Sequence, residues 1–296
     1  NDVEEFSINK NRLSNSTAKK VYEKGLPKLV DLYSKHDVEA TFYFTGTYAS
    51  KYPKSLELVN DNGHEVGSHG YSHHVHHSFD ILTREQQYIH LSKSKEVLES
   101  IVGPVKSFRA PALRISDETL PLLQKLGFET DSSVSSQRFD GPFTFGSRRK
   151  INWLLAPRKP YYPSYSNPYK KGKLKILEIP VSALGLSYQG TTMRISPRVN
   201  ELLGRILYSE SKKVEKPIVF LFHPNELINE PTSNSSRRSK NNIEYFFAEY
   251  LRNKMKLKNL GNKALSLLED NIKLAKDNNF NFCSAKSYKR IYEEKS

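Results

Sequence analysis

The chain has 296 residues, which is enough for one large α/β domain or two small ones and for a core without covalent cross-links. Its mean hydropathy is −0.63, and no apolar run reaches the roughly 18–20 residues that span a bilayer, so we expect no transmembrane helix in it. A single cysteine, Cys283, excludes an internal disulfide and a cysteine-based zinc site.

The formal net charge is +14, which is compatible with an anionic partner, although a solvated basic surface is the default interpretation. The basic residues are scattered and no nucleic-acid-binding signature accompanies them, so we do not expect nucleic acid to be that partner. The sequence begins at Asn1, without Met, inside what reads as a strand end. We therefore expect that residues precede it, and the location stays open between the cytoplasm and the cell envelope. The oligomeric state is equally open.

Apolar periodicity predicts an alternation of strands and helices. Helix 16–35 is followed by strand 40–45, helix 53–60, strand 65–68, helix 83–100 with a threonine cap, strand 105–109, helix 117–126 and strand 128–132. Strand 175–181, helix 199–213, strand 217–222, helices 242–254 and 262–277, strand 281–284 and a short terminal helix complete the chain. Residues 139–173 are rich in Tyr, Pro and basic residues without a period, and are predicted to be a long loop.

This alternation is typical of an α/β fold with a parallel sheet. It predicts a single domain over residues 1–296, a distorted (β/α) barrel of about seven parallel strands. Working residues in such barrels lie at the carboxyl ends of strands. Five polar residues fall at a predicted strand end: Asp2, His69, Arg109, Asp131 and His223.

A histidine pair, His69 and His73, is the most informative local pattern. A gap of four residues places both imidazoles on one side of a helical turn, where they can bind one divalent cation. A third ligand would come from elsewhere, and the segment Asp2-Val3-Glu4 offers carboxylates. His223 could act on a substrate from the opposite side. The alternative is that the pair lies on a surface helix by chance.

Five motifs in order resemble the NodB-homology polysaccharide deacetylases, carbohydrate esterase family 4, over nearly the whole chain. They are Asp2-Val3-Glu4, His69-Gly70-Tyr71-Ser72-His73, Phe108-Arg109-Ala110-Pro111, Asp131-Ser132-Ser133 and Leu221-Phe222-His223-Pro224. The resemblance implies the NodB-type fold and a hydrolase acting on carbon–nitrogen bonds.

The resemblance also implies a role for each matching residue. Glu4, His69 and His73 would hold a divalent metal, most often zinc. Asp2 would be the general base, oriented by Arg109. His223 would protonate the leaving amine, with Asp131 hydrogen-bonded to it, and the backbone N–H of Ala112 would bind the oxyanion.

Departures from the family pattern concern the substrate more than the chemistry. The metal carboxylate is Glu4, where aspartate is usual. Relatives whose first motif is likewise Asp-Val-Glu include allantoinase-like enzymes. The third motif continues with Ala112-Leu113, and the fourth lacks its usual Trp. Aromatic side chains of the loop that could stack on sugar rings, or simply pack within the loop, are Trp153, Tyr161, Tyr162, Tyr165 and Tyr169. Tyr71 is a further candidate for contact with the substrate.

The leading hypothesis is a metal-dependent hydrolase that removes an N-acetyl group from an amino sugar of a glycan, which could be anionic or lipid-linked. One alternative is hydrolysis of a small cyclic or linear amide. The other is a glycan-binding protein without catalysis. The sequence does not distinguish which glycan, acyl group or metal is physiological.

Overall fold

The chain folds around a six-stranded parallel sheet in the computed structural model, which describes residues 1–139, 152–229 and 252–295. The strands are β1 (Asp2–Val3), β2 (Phe6–Ser7), β3 (Arg12–Leu13), β4 (Thr41–Phe44), β5 (Glu65–Ser68), β6 (Ser107–Phe108), β7 (Thr130–Asp131), β8 (Leu177–Glu178), β9 (Ala183–Leu184) and β10 (Leu186–Ser187). The sheet order is β1-β4-β5-β6-β7-β8, while β2–β3 and β9–β10 form antiparallel pairs. The predicted α/β class with a parallel sheet is confirmed.

Helices separate most of the sheet strands. They are α1 (Asn15–Lys20), α2 (Leu26–Lys35), α3 (Gly46–Lys51), α4 (Lys54–Asp61), α5 (Arg84–Val102), α6 (Thr119–Lys125), α7 (Gly190–Ile195), α8 (Pro197–Val214), α9 (Arg252–Lys256), α10 (Asn262–Asp277) and α11 (Ala285–Glu294). Residues 242–251 of the predicted helix 242–254, and 140–151 of the predicted loop, lie outside the described residues. No helix in the described ranges combines the length and apolar composition needed to cross a bilayer.

Local sequence explains where the long helices begin and end. Thr83 caps α5, since its hydroxyl accepts from Gln86 N at 3.3 Å while Gln86 Oε1 accepts from Thr83 N at 3.0 Å. The helix ends at Gly103, whose φ of 77° favours glycine. The predicted helix 16–35 is instead three consecutive pieces, because the π-helical segment Val21–Gly25 separates α1 from α2.

The core lies between the sheet and the helices that cover it. Buried aromatic side chains of the sheet, Phe42, Phe44 and Phe108, belong to one apolar cluster with Leu91 and Leu98 of α5. The strands are buried along their length because helices cover the parallel sheet, which is why they read as continuous apolar runs.

Two predicted strands are not strands. Residues 217–222 are extended chain with a single bridge, between Leu221 and Gln189. The carbonyl oxygens of Phe222 and Val219 accept from Asp2 N and Ser182 N, each at 3.1 Å, so this segment runs beside β1 without a full ladder. Residues 281–284 are also irregular, and they lead into α11. The sheet therefore has six strands where about seven were expected.

The carboxyl ends of the central strands meet at one edge of the sheet. Backbone hydrogen bonds continue one residue past each strand, from His69 N to Phe44 O, from Arg109 N to Ser68 O and from Ser132 N to Phe108 O, at 2.8–3.0 Å. The residues that follow each strand are thereby fixed next to one another, and their side chains form one site.

Candidate metal centre and active site

An ion pair between Asp2 and Arg109 lies at the centre of this edge. Arg109 Nη1 donates to Asp2 Oδ1 at 2.9 Å, and both side chains are less than 5% exposed. The guanidinium also donates from Nε to Ser132 O at 3.0 Å and from Nη2 to Ser132 Oγ at 2.8 Å. Three hydrogen bonds therefore fix the plane of the guanidinium and, through it, the Asp2 carboxylate.

The electrostatics keep Asp2 ionised. Burial disfavours its charge, but the nearby Arg109, together with His69 and His223, outweighs burial and holds the pKa of Asp2 well below its ordinary value. The second oxygen, Oδ2, lies 3.9 Å from His69 Nε2 and 3.8 Å from His223 Nε2. Asp2 thus offers a charged oxygen between two imidazoles.

A carboxylate and two imidazoles converge beside Asp2. Glu4, His69 and His73 each offer one ligand atom, and the three atoms lie within 4.8 Å of one another. Glu4 Oε2 lies 3.2 Å from His73 Nε2 and 3.9 Å from His69 Nε2. The three sequence-predicted ligands are therefore brought together by the ends of β1 and β5.

The histidine pair is not on a helix, contrary to the expectation from its spacing. Residues 69–73 form an irregular turn after β5, in which Gly70 has a φ of 72°. A Cβ at this glycine would lie 3.0 Å from the ring of Phe79, so the turn needs glycine for both reasons. The loop, not helical periodicity, brings His73 back to His69.

His69 is prepared to act as a ligand. Its Nδ1–H donates to the carbonyl of Arg109 at 2.7 Å, which leaves the Nε2 lone pair facing Glu4. Burial, chiefly, lowers the pKa of His69 to about 3, so the ring is neutral at physiological pH. A neutral imidazole with a fixed tautomer is the form that binds a metal.

The donor set fits a divalent metal. Among the described residues, Glu4 Oε2 is buried without a hydrogen-bond partner, which is costly unless a cation binds there. Two imidazoles and a carboxylate are a common zinc ligand set that leaves a position open for water or substrate. Glu4, His69 and His73 are therefore the residues that would hold such an ion.

His223 lies on the other side of Asp2, directly after the extended segment 217–222. Its side chain is 26% exposed, and its Nδ1 lies 3.3 Å from Glu226 Oε1. Burial lowers the pKa of His223, but the hydrogen bond that its ring donates to Glu226 and the charges of Asp2, Glu226 and Glu4 more than compensate and raise it. The raised pKa favours the protonated ring, as a proton donor requires.

The expected contact between Asp131 and His223 is replaced by two other contacts. Asp131 is fully buried on β7, and its Oδ1 accepts from Ser133 Oγ at 2.6 Å. Burial raises the pKa of Asp131, although its hydrogen bonds with Glu178 and Ser133 act in the opposite direction. The carboxylate that reaches His223 belongs to Glu226, which the motif comparison missed, although a glutamate three residues after a strand-end histidine is a readable signal.

Burial and position decide which of the aromatic candidates could stack on a sugar ring. Trp153 and Tyr161 are 1% and 2% exposed, so their ring faces are packed and cannot stack on a sugar. Tyr162 donates to Glu293 Oε1 of α11 at 3.3 Å. That helix begins against Thr41, the first residue of β4, so Tyr162 lies at the amino ends of the strands, away from the site.

The other two substrate candidates, Tyr71 and Ala112, follow strand ends at the same edge of the sheet as the site. Tyr71 follows Gly70 in the histidine loop and is half-buried, with the Lys93 ammonium 4.3 Å from its ring centroid. Ala112 is exposed just after β6, with a φ of 53° in the left-handed region. Their proposed contacts with substrate stay predictions.

Comparison with known proteins identifies the family to which a segment in the first half of this chain belongs. Residues 15–130 match the model of the family described as polysaccharide deacetylase. This segment belongs to the polysaccharide deacetylase family. It contains His69, His73 and Arg109, whereas Asp2, Glu4 and His223 lie outside the match.

Two curated relatives agree with this assignment, and one solved structure shares the fold. The chain is 33% identical over 118 residues to the peptidoglycan deacetylase of Helicobacter pylori (40% of this chain, 39% of that protein). It is 30% identical over 114 residues to the peptidoglycan-N-acetylmuramic acid deacetylase of Bacillus subtilis (37% and 41%). The crystal structure of a "probable polysaccharide deacetylase" from Pseudomonas aeruginosa PAO1 is 16% identical, with a TM-score of 0.55 over 88% of this chain and 70% of that one, which shows a shared fold.

Replacing Arg109 should destabilise the protein in a pH-dependent way. Arg109→Gln leaves a buried carboxylate without its cation, and should lower the free energy of unfolding by about 3–5 kcal/mol at pH 7. Because the pKa of Asp2 is lowered in the folded state, the pair's contribution is complete above the ordinary aspartate value of about 4. It begins to decline as the pH falls below that value and is lost only at the lower folded value. Urea unfolding of both proteins between pH 7 and pH 3 measures the start of this decline.

Arg205→Gln is the matched control, since Arg205 pairs with Glu201 at 2.8 Å on an exposed helix surface. Its effect should stay within about 1 kcal/mol. Equal effects of the two substitutions would contradict the role assigned to the Asp2–Arg109 pair.

Replacing His69 should remove the metal. The parent protein, purified and equilibrated with zinc, should contain about one zinc ion per chain by elemental analysis, and His69→Ala should lose it. His76→Ala, which removes an exposed histidine outside the three-ligand cluster, should retain it. A parent without zinc, or a His69→Ala protein with the parent's content, would show that the cluster is not a metal site.

Proposed function

We propose that this chain is a divalent-metal-dependent deacetylase that hydrolyses the N-acetyl group of an amino sugar in a glycan. The observation that carries the proposal is the position of Asp2. Its Oδ2 lies between His69 of the three-ligand cluster and His223, at 3.9 and 3.8 Å. A base, an acid and a metal cluster around one small space are what hydrolysis of an amide needs.

Each group has a part in the reaction. A bound divalent cation would supply Lewis acidity that lowers the pKa of water and polarises the acetyl carbonyl. Asp2 accepts the proton of the attacking water, and Arg109 keeps its carboxylate ionised and oriented. As the carbon–nitrogen bond breaks, His223 donates a proton to the leaving amine, and the products are acetate and the free amino sugar.

Zinc is the proposed ion, and peptidoglycan-type glycan strands are the proposed substrate. Zinc commonly binds such a set of two imidazoles and a carboxylate. The two relatives reported above are named for deacetylation of peptidoglycan, and the chain spans about two fifths of each. The net charge of +14 would favour association with an anionic glycan of that kind.

Replacing the base should abolish turnover in the folded protein. Asp2→Asn keeps the size of the side chain but removes the proton acceptor, so kcat for acetate release should fall at least about 100-fold. The assay follows acetate released from N-acetylated peptidoglycan strands and from N-acetylglucosamine oligomers by the zinc-loaded protein. Asp61→Asn, at an exposed position on α4, should leave kcat within about twofold of the parent.

Two outcomes would contradict the proposal. One is a zinc-loaded parent that releases no acetate from any N-acetylated glycan. The other is an Asp2→Asn protein as active as the parent, which would exclude Asp2 as the base.

A further inference from the structure

His223 lies at the start of a short turn that returns a carboxylate to it. The turn is a single 3-10 segment, Pro224–Leu227, and it contains Glu226. Glu226 Oε1 accepts from the backbone N–H of His223 at 3.2 Å and lies 3.3 Å from its Nδ1. One oxygen therefore faces both the backbone and the ring of the same histidine.

The second oxygen of Glu226 is held from the other side. Arg194 of α7 donates from Nε to Glu226 Oε2, and both side chains are 1% exposed. Arg194 Nη1 donates in addition to the carbonyls of Lys256 and Lys258 at 2.6 and 2.8 Å. The guanidinium is thus anchored at three acceptors, and the carboxylate cannot rotate without losing its buried cation.

The carboxylate of Glu226 approaches the backbone of α7 closely at Gly190. A Cβ at Gly190 would clash with Glu226 Oε1 and would lie 2.6 Å from Phe222 Cδ2. Glycine at the first residue of α7 is therefore required by the close approach of Glu226. Gly190, Arg194 and Glu226 form a single packed unit behind the histidine.

Within residues 1–139, 152–229 and 252–295, the charged groups near His223 come from three elements. Asp2 of β1 lies 3.8 Å from its Nε2, and Glu4 after β1 contributes a further negative charge. Glu226 lies at Nδ1, and Arg194 of α7 lies behind Glu226 on the side away from the ring. Nε2 therefore faces the space beside Asp2 while Nδ1 faces Glu226.

We propose that Glu226, held by Arg194, is the positioning residue of His223: it accepts the Nδ1–H hydrogen bond and thereby presents Nε2–H to the leaving amine. The inference rests on the proposed function for the role of Nε2. The raised pKa of His223, to which the hydrogen bond to Glu226 contributes, agrees with this positioning role. Glu226 takes the place that the motif resemblance gives to Asp131, whose carboxylate instead accepts from Ser133.

The competing role for Glu226 is structural alone, as a neutraliser of Arg194 and a cap of the turn. The two roles differ in what they do to the imidazole. A purely structural carboxylate would alter stability, whereas a positioning carboxylate also sets the pH at which His223 loses its proton.

The test is a pair of pH titrations on the zinc-loaded protein. In the Glu226→Gln variant the amide still fills the site but carries no charge, so the His223 imidazole, followed by its ¹⁵N and ¹H resonances, should titrate about one pH unit lower than in the parent. The alkaline limb of kcat/KM for acetate release should move by the same amount, with KM for the glycan within about twofold.

Glu201→Gln is the matched control, because it also removes a glutamate from an arginine pair, at an exposed position. Glu201→Gln should change neither the titration of the His223 imidazole nor the alkaline limb of kcat/KM. Should Glu226→Gln fail to fold, the double variant Arg194→Met with Glu226→Gln removes both buried charges together. Hydrogen exchange at the Nδ1–H of His223 in the parent protein tests the same contact without any substitution. Slow exchange of this proton is expected if it is hydrogen-bonded to Glu226.

The outcomes separate this inference from the proposed function. A shifted imidazole titration in a protein that releases no acetate would overturn the proposed function and support the Glu226 contact. Acetate release with an unshifted imidazole and an unshifted alkaline limb would overturn the positioning role. A rapidly exchanging Nδ1–H in the parent would overturn it as well.

Discussion

The buried ion pair of Asp2 and Arg109 is the interaction on which the site depends. Two carboxylates, Asp2 and Glu4, lie two residues apart at the end of β1, and either could in principle bind a metal. Arg109 decides between them, because it holds Asp2 as an oriented anion and leaves Glu4 Oε2 without a hydrogen-bond partner among the described residues. Glu4 is then available to bind a cation, and Asp2 is available to accept a proton.

The parallel sheet makes this division possible. Because β1, β5, β6 and β7 end at the same edge, residues far apart in sequence meet within hydrogen-bonding distance, and Arg109 is fixed by Ser132 of the next strand end. The acid side of the site is built differently. His223 follows an extended segment without a regular ladder, and the buried Arg194–Glu226 pair supplies the support that sheet hydrogen bonds give elsewhere.

The sequence was a good guide where local pattern decides structure. The aromatic run of β4, the threonine cap of α5 and the whole of α10 could be predicted, and so could the strand-end placement of the site residues. Non-local packing decided the rest. The loop of His69 and His73 depends on Gly70, the burial of Trp153 and Tyr161 depends on distant partners, and Arg194 meets Glu226 across 32 residues. No periodicity encodes such contacts.

The central claim is that Glu4, with His69 and His73, holds the metal while Asp2 stays with Arg109. A crystal structure of the zinc-loaded protein, with an anomalous difference map at the zinc edge, tests it most directly. The account predicts one peak about 2.0–2.2 Å from Glu4, His69 Nε2 and His73 Nε2, with the Asp2–Arg109 pair intact. A zinc ion bound by Asp2, with Arg109 displaced, or no peak at this site in zinc-saturated crystals, would contradict it.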